Sequence, residues 1–139
     1  YSPHLVKRIE GFKDTAWDRK YKIKKFTSVS PQYFQYVIDG MSEVTKPGGT
    51  ANGTGIEGIE ICAKTGTAQN PHGKDHSIYI AFAPKDNPKI AIAVLVENGG
   101  FGATWAAPIA NLMIEKYLQG KPESSKPEME ERIKTSVIQ

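Results

Sequence analysis

The sequence predicts an α/β sandwich, an antiparallel sheet whose strands are flanked by helices. Three observations lead there. Apolar side chains recur at helical spacing after Ser30, three strand-like runs follow (58–69, 77–83 and 90–96), and a second helical pattern comes after them. The run Ile90–Val96 is apolar on both faces, which predicts a central strand with a layer on either side.

Taken in order, residues 1–12 predict an entry loop and a short extended piece. In 20–27, Tyr21, Ile23 and Phe26 alternate loosely with lysines, as in an edge strand or hairpin arm. Ser30-Pro31 starts a helix, with a hydroxyl N-cap and then a proline whose fixed φ suits the first helical position. Tyr33, Phe34, Val37, Ile38, Met41 and Val44 share one face of it to about Thr45, where Lys46-Pro47-Gly48-Gly49 stops the pattern. Gly40 inside this helix costs about 1 kcal/mol relative to alanine. It marks either close packing or a tolerated imperfection.

The glycine-rich run 48–55 does not match the Gly-x4-Gly-Lys-Ser/Thr phosphate cradle, and it predicts a flexible connection. The turn Pro84-Lys85-Asp86-Asn87-Pro88 is short enough for an antiparallel hairpin between the second and third strands. The last long helix spans roughly 104–118. Trp105, Ile109, Leu112, Met113 and Tyr117 are its expected apolar face, Pro108 lies in its first turn and Gly120 is its stop. Residues 1–120 form the expected domain, and 121–139 a charged, proline-containing tail with a short helix after Pro127.

Composition narrows the function. Eighteen basic and fifteen acidic residues give a net charge of +3, too weakly basic to call for nucleic acid. The early cluster of lysines and arginines reads as a solvated face, with contact to an anionic polymer or a membrane surface as the alternative. Cys62 is the only cysteine, so no intrachain disulfide forms, and its apolar surroundings place it in the core. No stretch approaches the roughly 18 apolar residues of a membrane span. No signal-peptide pattern opens the sequence either, so an anchor or export signal is expected outside these residues.

Chemistry concentrates in Lys64-Thr65-Gly66-Thr67, within an extended run. An exposed strand edge binds an extended peptide by adding it as a further strand, and Gly66 removes a side chain that would obstruct it. The backbone N–H of Thr67 can face a developing oxyanion, the Thr65 and Thr67 hydroxyls can bond a terminal carboxylate, and Lys64 supplies positive charge. A second cluster, His72-Gly73-Lys74-Asp75-His76, has a zinc-like spacing of histidines. Pro71 and Gly73 make it a loop, and Lys74 adds a competing charge, so no metal is expected there. His76 or Asp75 instead touches substrate or braces the lysine-bearing strand.

Lys-Thr-Gly is one of three signature elements of penicillin-interacting serine enzymes. From Lys64-Thr65-Gly66-Thr67-Ala68-Gln69 through Asp75-His76-Ser77, Ala81-Phe82-Ala83-Pro84, Asn87-Pro88 and Glu97-Asn98-Gly99-Gly100, the chain resembles the end of a penicillin-binding protein transpeptidase domain. It is most similar to penicillin-binding protein 2, the elongation class. Asp39-Gly40-Met41 and Gly48-Gly49-Thr50-Ala51 extend the resemblance. One departure is Ala63, where many relatives have glycine. The resemblance implies a partial β-lactamase/transpeptidase-like fold and a serine D,D-transpeptidase that cross-links peptidoglycan. It implies a location at the periplasmic face of the inner membrane and no cofactor. The partners it implies are peptidoglycan stem peptides, β-lactam antibiotics, the rest of the parent transpeptidase and the cell-wall elongation machinery. Lys64 is the catalytic candidate, with Lys64, Thr65, Gly66 and Thr67 binding substrate.

None of the eight serines has lysine three residues on or asparagine two residues on. The nucleophile is therefore expected outside this sequence, and the fragment alone is expected to be inactive. A β-lactam sensor or serine β-lactamase of the same fold, or a non-catalytic binding module, are the alternatives.

Overall fold

Three β-branched and apolar runs joined by short turns pair into one antiparallel sheet in the computed structural model, which describes residues 20, 22–120 and 124–138. The strands are β1 (Cys62–Ala68), β2 (His76–Ala83) and β3 (Ile90–Val96), ordered β1-β2-β3. Helix α1 (Phe34–Ser42) precedes them, and α2 (Ala106–Gln119) and α3 (Pro127–Thr135) follow.

The chain divides into two compact units, Tyr1–Tyr33 and Phe34–Gln139. In the first, Pro31–Tyr33 forms a single 3-10 turn, closed by the Tyr33 N–H donating to the Ser30 carbonyl at 3.1 Å. The strand expected at 20–27 does not form among the described residues: Lys20 and Lys22 are helical and 24–27 carry no regular structure. Two adjacent lysines break the alternation there, and a strand without a partner leaves its backbone polar groups unpaired. The entry loop at 1–12 lies outside the described residues.

In the second unit, pairing fixes which side chains share a face. Ala63, Ala81 and Ile92 are register partners, as are Thr65, Tyr79 and Val94, and Thr67, Ser77 and Val96. Helix α2 packs on this face, and its Ala106, Ala107, Ala110 and Ile114 meet Tyr79, Ala81 and Ala83 in the core. Ala63 is fully buried there. The other face carries Cys62–Phe82–Ala91, Lys64–Ile80–Ala93 and Gly66–Ile78–Leu95. Helix α1 covers only its β1 end, where the buried Cys62 Sγ lies 3.6 Å from the Ile38 carbonyl oxygen. Burial pushes the Cys62 thiol up from its ordinary pKa.

Several expectations need correction. Among the described residues β2, not β3, is the central strand. The second apolar face of β3 is Ala91, Ala93 and Leu95, all exposed; alanine sits as readily outside as inside, and a single exposed leucine is ordinary. The long helix turns its alanines inward, with Met113 and Tyr117 more than half exposed (54% and 64%). Small residues let the helix approach the sheet closely.

Helix α1 stops at Ser42, whose hydroxyl donates back to the Asp39 carbonyl at 2.8 Å. A Cβ at Gly40 would meet nothing within 4 Å, so close packing does not explain that glycine. The run 48–55 is a packed series of turns rather than a slack connection. Ala51 is fully buried, the Thr54 hydroxyl donates to the Ala51 carbonyl at 2.7 Å, and a Cβ at Gly49 would strike the Glu43 and Val44 carbonyl oxygens. Gly120 ends α2 in the left-handed conformation (φ 64°), as expected.

Candidate active site

Lys64, Thr65, Gly66 and Thr67 lie together on β1, which pairs on one side with β2; among the described residues no strand pairs with its other edge. The direction of the Gly66 peptide groups can be read from what surrounds Gly102. A Cβ built there would strike the Ile78 carbonyl oxygen and lie 2.8 Å from the Gly66 oxygen and 3.0 Å from the Gly66 nitrogen. All three atoms converge between the two strands, so Gly66 turns its N–H and C=O toward β2. In an antiparallel ladder these groups alternate in direction. Thr65 and Thr67 therefore turn theirs to the open edge. The Lys64 Nζ accordingly reaches the Thr65 carbonyl oxygen at 2.6 Å.

The side chains divide between the faces. Lys64 is exposed on the face it shares with Ile80. The Thr65 hydroxyl, on the opposite face, is 2.8 Å from the Thr50 hydroxyl. Thr67 is exposed beside the buried Ser77. A Cβ at Gly66 would sit 3.3 Å from the Ile78 Cβ, so glycine also relieves crowding across the pair.

The far end of the strand is braced by the second cluster. The Asp75 carboxylate accepts from the Asn70 N–H (3.2 Å), and the Asp75 carbonyl accepts from the Gly100 N–H (2.7 Å). His76 Nδ1 accepts from the Asn98 N–H at 3.0 Å, and Asn70 Nδ2 donates to Asn98 Oδ1 at 2.9 Å. Asn98 holds φ at 56°, a left-handed conformation that asparagine tolerates. Asp75 and His76 thus tie the β1–β2 turn to the turn after β3, while His72 is exposed.

At the near end, Lys85 joins the Asp39 carboxylate (2.9 Å), Glu60 (3.8 Å) and the Ser42 hydroxyl (3.4 Å). The hydrogen bond from Lys85, with help from Gln35, holds the Asp39 carboxyl below its ordinary pKa. This network links α1 to the approach into β1. Sequence reasoning missed Thr50, Ser77 and Gly102, which meet β1 from distant positions, and Lys85, which holds the approach to it. Buried Ser77 in an otherwise apolar run was the one signal that pointed to such a contact.

The same residues can be set beside known proteins. Residues 1–115 match the penicillin binding protein transpeptidase domain family. The peptidoglycan D,D-transpeptidase PbpA of Mycobacterium tuberculosis is 37% identical over 134 residues, covering 86% of this chain and 26% of that protein. The structure of penicillin-binding protein A from M. tuberculosis as an imipenem acyl-enzyme complex superposes with a TM-score of 0.57 at 44% identity, covering 66% of this chain and 20% of the other. Penicillin-binding protein 2 of Pseudomonas aeruginosa gives 0.59 at 36% identity, covering 67% and 20%. The chain therefore spans about a quarter of the curated relative's length. The match takes in Lys64 to Thr67, the sheet that carries them and most of α2, and the chain belongs to the penicillin-binding protein transpeptidase domain family.

Proposed function

We propose that this chain supplies the substrate-binding strand of a peptidoglycan D,D-transpeptidase that works by serine acyl transfer on D-Ala-D-Ala peptides. The observation that carries this reading is the open edge of β1, where Thr65 and Thr67 turn their backbone groups outward beside the Lys64 ammonium. A stem peptide adds along that edge as an antiparallel strand. The Thr67 N–H meets the oxyanion that forms when the scissile carbonyl is attacked, a contact whose removal costs about 2.7–4 kcal/mol in another serine hydrolase. Lys64 lowers the energy of the substrate carboxylate and of the proton relay, and the Thr67 hydroxyl bonds the carboxylate. The Thr65 hydroxyl keeps its own proton for the carboxylate when Thr50 donates to it.

The attacking serine comes from sequence beyond these residues, because no serine here stands in a Ser-x-x-Lys pattern. β-Lactams acylate that same serine, and the elongation class at the periplasmic face of the inner membrane is the setting we assign. No helix among the described residues is long and apolar enough to cross a membrane.

The test is covalent labelling of the longer protein that carries this sequence. Fluorescent penicillin is expected to give a band that survives denaturation, and Lys64→Ala to slow acylation about a hundredfold. Unchanged kinetics in that variant would remove Lys64 from the mechanism. Rapid turnover of a chromogenic cephalosporin would point instead to a β-lactamase.

A further inference from the structure

Ser77 is fully buried, polar and without a role in substrate contact. It is the register partner of Thr67. Its hydroxyl donates to the Phe101 carbonyl at 2.9 Å and accepts from the Ala106 N–H at 3.2 Å. It therefore joins β2 to the turn after β3 and to the first residue of α2, whose N-cap position, Trp105, makes no side-chain cap. The turn held this way includes Gly102, where a Cβ would strike the Ile78 O and crowd the Gly66 O and N, leaving no room for a methyl group. The Gly102 carbonyl accepts from the Ala107 N–H at 2.9 Å, so the turn is fixed to the helix from both ends. Gly99 is also confined: a Cβ there would lie 2.9 Å from the Ser77 Cβ.

We infer that Ser77 and Gly102 are positioning residues, forming a bracket behind β1 that fixes the Gly66 peptide and thereby the direction of the Thr67 N–H at the open edge. The inference rests on the transpeptidase reading above and adds to it the residues that set the oxyanion contact. The bracket lies on the α2 face of the sheet, opposite the Lys64 side chain, so it acts through the backbone of β1 and touches no substrate. A displaced donor loses transition-state stabilisation while ground-state binding of the ligand is kept.

The experiment measures penicillin acylation of the full-length protein by stopped flow, separating the dissociation constant before acylation from the first-order acylation rate. Gly102→Ala is expected to lower the acylation rate about tenfold or more, with the dissociation constant within about twofold. Ser77→Ala adds no atoms, and it is expected to lower the rate about threefold to tenfold. It decides the matter if Gly102→Ala fails to fold. Ile114→Val, on the core-facing side of α2, is the control for general destabilisation and is expected to keep the wild-type rate. The bracket is overturned if Ser77→Ala acylates at the wild-type rate, if the losses appear only in the dissociation constant, or if Ile114→Val loses as much. Absence of acylation in the wild type itself overturns the transpeptidase reading and the bracket with it.

Discussion

Tyr79 has no exposed surface, and its hydroxyl and the Asn111 Oδ1 are both buried with no hydrogen-bond partner among the described residues. Burial pushes the Tyr79 phenol up to about 12, with neighbouring Asn111 opposing the shift. The sign of the linkage follows from the unfolded phenol ionising near pH 10 while the folded one stays protonated. Stability is kept below about pH 10 and lost as pH rises toward 12. Tyr79→Phe removes that loss, and because it also removes a buried hydroxyl without a partner it is expected to be neutral or stabilising at pH 7. Urea midpoints of both forms from pH 7 to 11.5 check this; parallel curves would show that Tyr79 titrates normally. Thr50 offers a second residue-scale test. Thr50→Val takes away the partner that orients the Thr65 hydroxyl, and a loss of about threefold to tenfold in acylation efficiency is expected, measured with fluorescent penicillin on the full-length protein. Lys64, Thr65, Gly66 and Thr67 were legible in the sequence because their chemistry is contiguous. Thr50 was not, because only the fold brings it within 2.8 Å of Thr65.

The strands and α2 were legible for a simple reason: each is bounded by strong local signals, such as the Pro84–Pro88 turn and Gly120. Orientation was harder. The large side chains of α2 suggested an apolar face, whereas close approach to the sheet selects alanine inward and leaves Tyr117 outside. The run 48–55 was misread because glycine signals flexibility in a sequence and tight approach in a structure. Gly49 shows which applies here, since a Cβ there would strike the carbonyls of Glu43 and Val44. Gly49→Ala is expected to destabilise the chain by about 1–3 kcal/mol, read as a lower urea midpoint. An unchanged midpoint would mean that the turn opens without cost.

At the scale of the molecule, the site is one edge of one sheet, and the chain corresponds to about a quarter of its curated relative. The 139 residues by themselves are accordingly expected to take up no fluorescent penicillin under conditions in which the full-length protein is labelled. A band surviving denaturation would place a nucleophile among the eight serines. The sheet order was the least legible feature, because alanine-rich β3 reads as buried on both faces from sequence, while Ala91 and Ala93 are exposed in the fold.

Cys62 reports on the motion of helix α1. It is the only cysteine, and it lies under α1 where that helix meets the start of β1. A thiol reagent reaches the buried sulfur when the helix lifts, and until then burial holds the thiol protonated and slow to react. The rate of modification at fixed reagent concentration therefore counts openings of α1, a clock built into the protein that needs no engineered label. Breaking the Lys85–Asp39 pair with Asp39→Asn is expected to make that clock run faster.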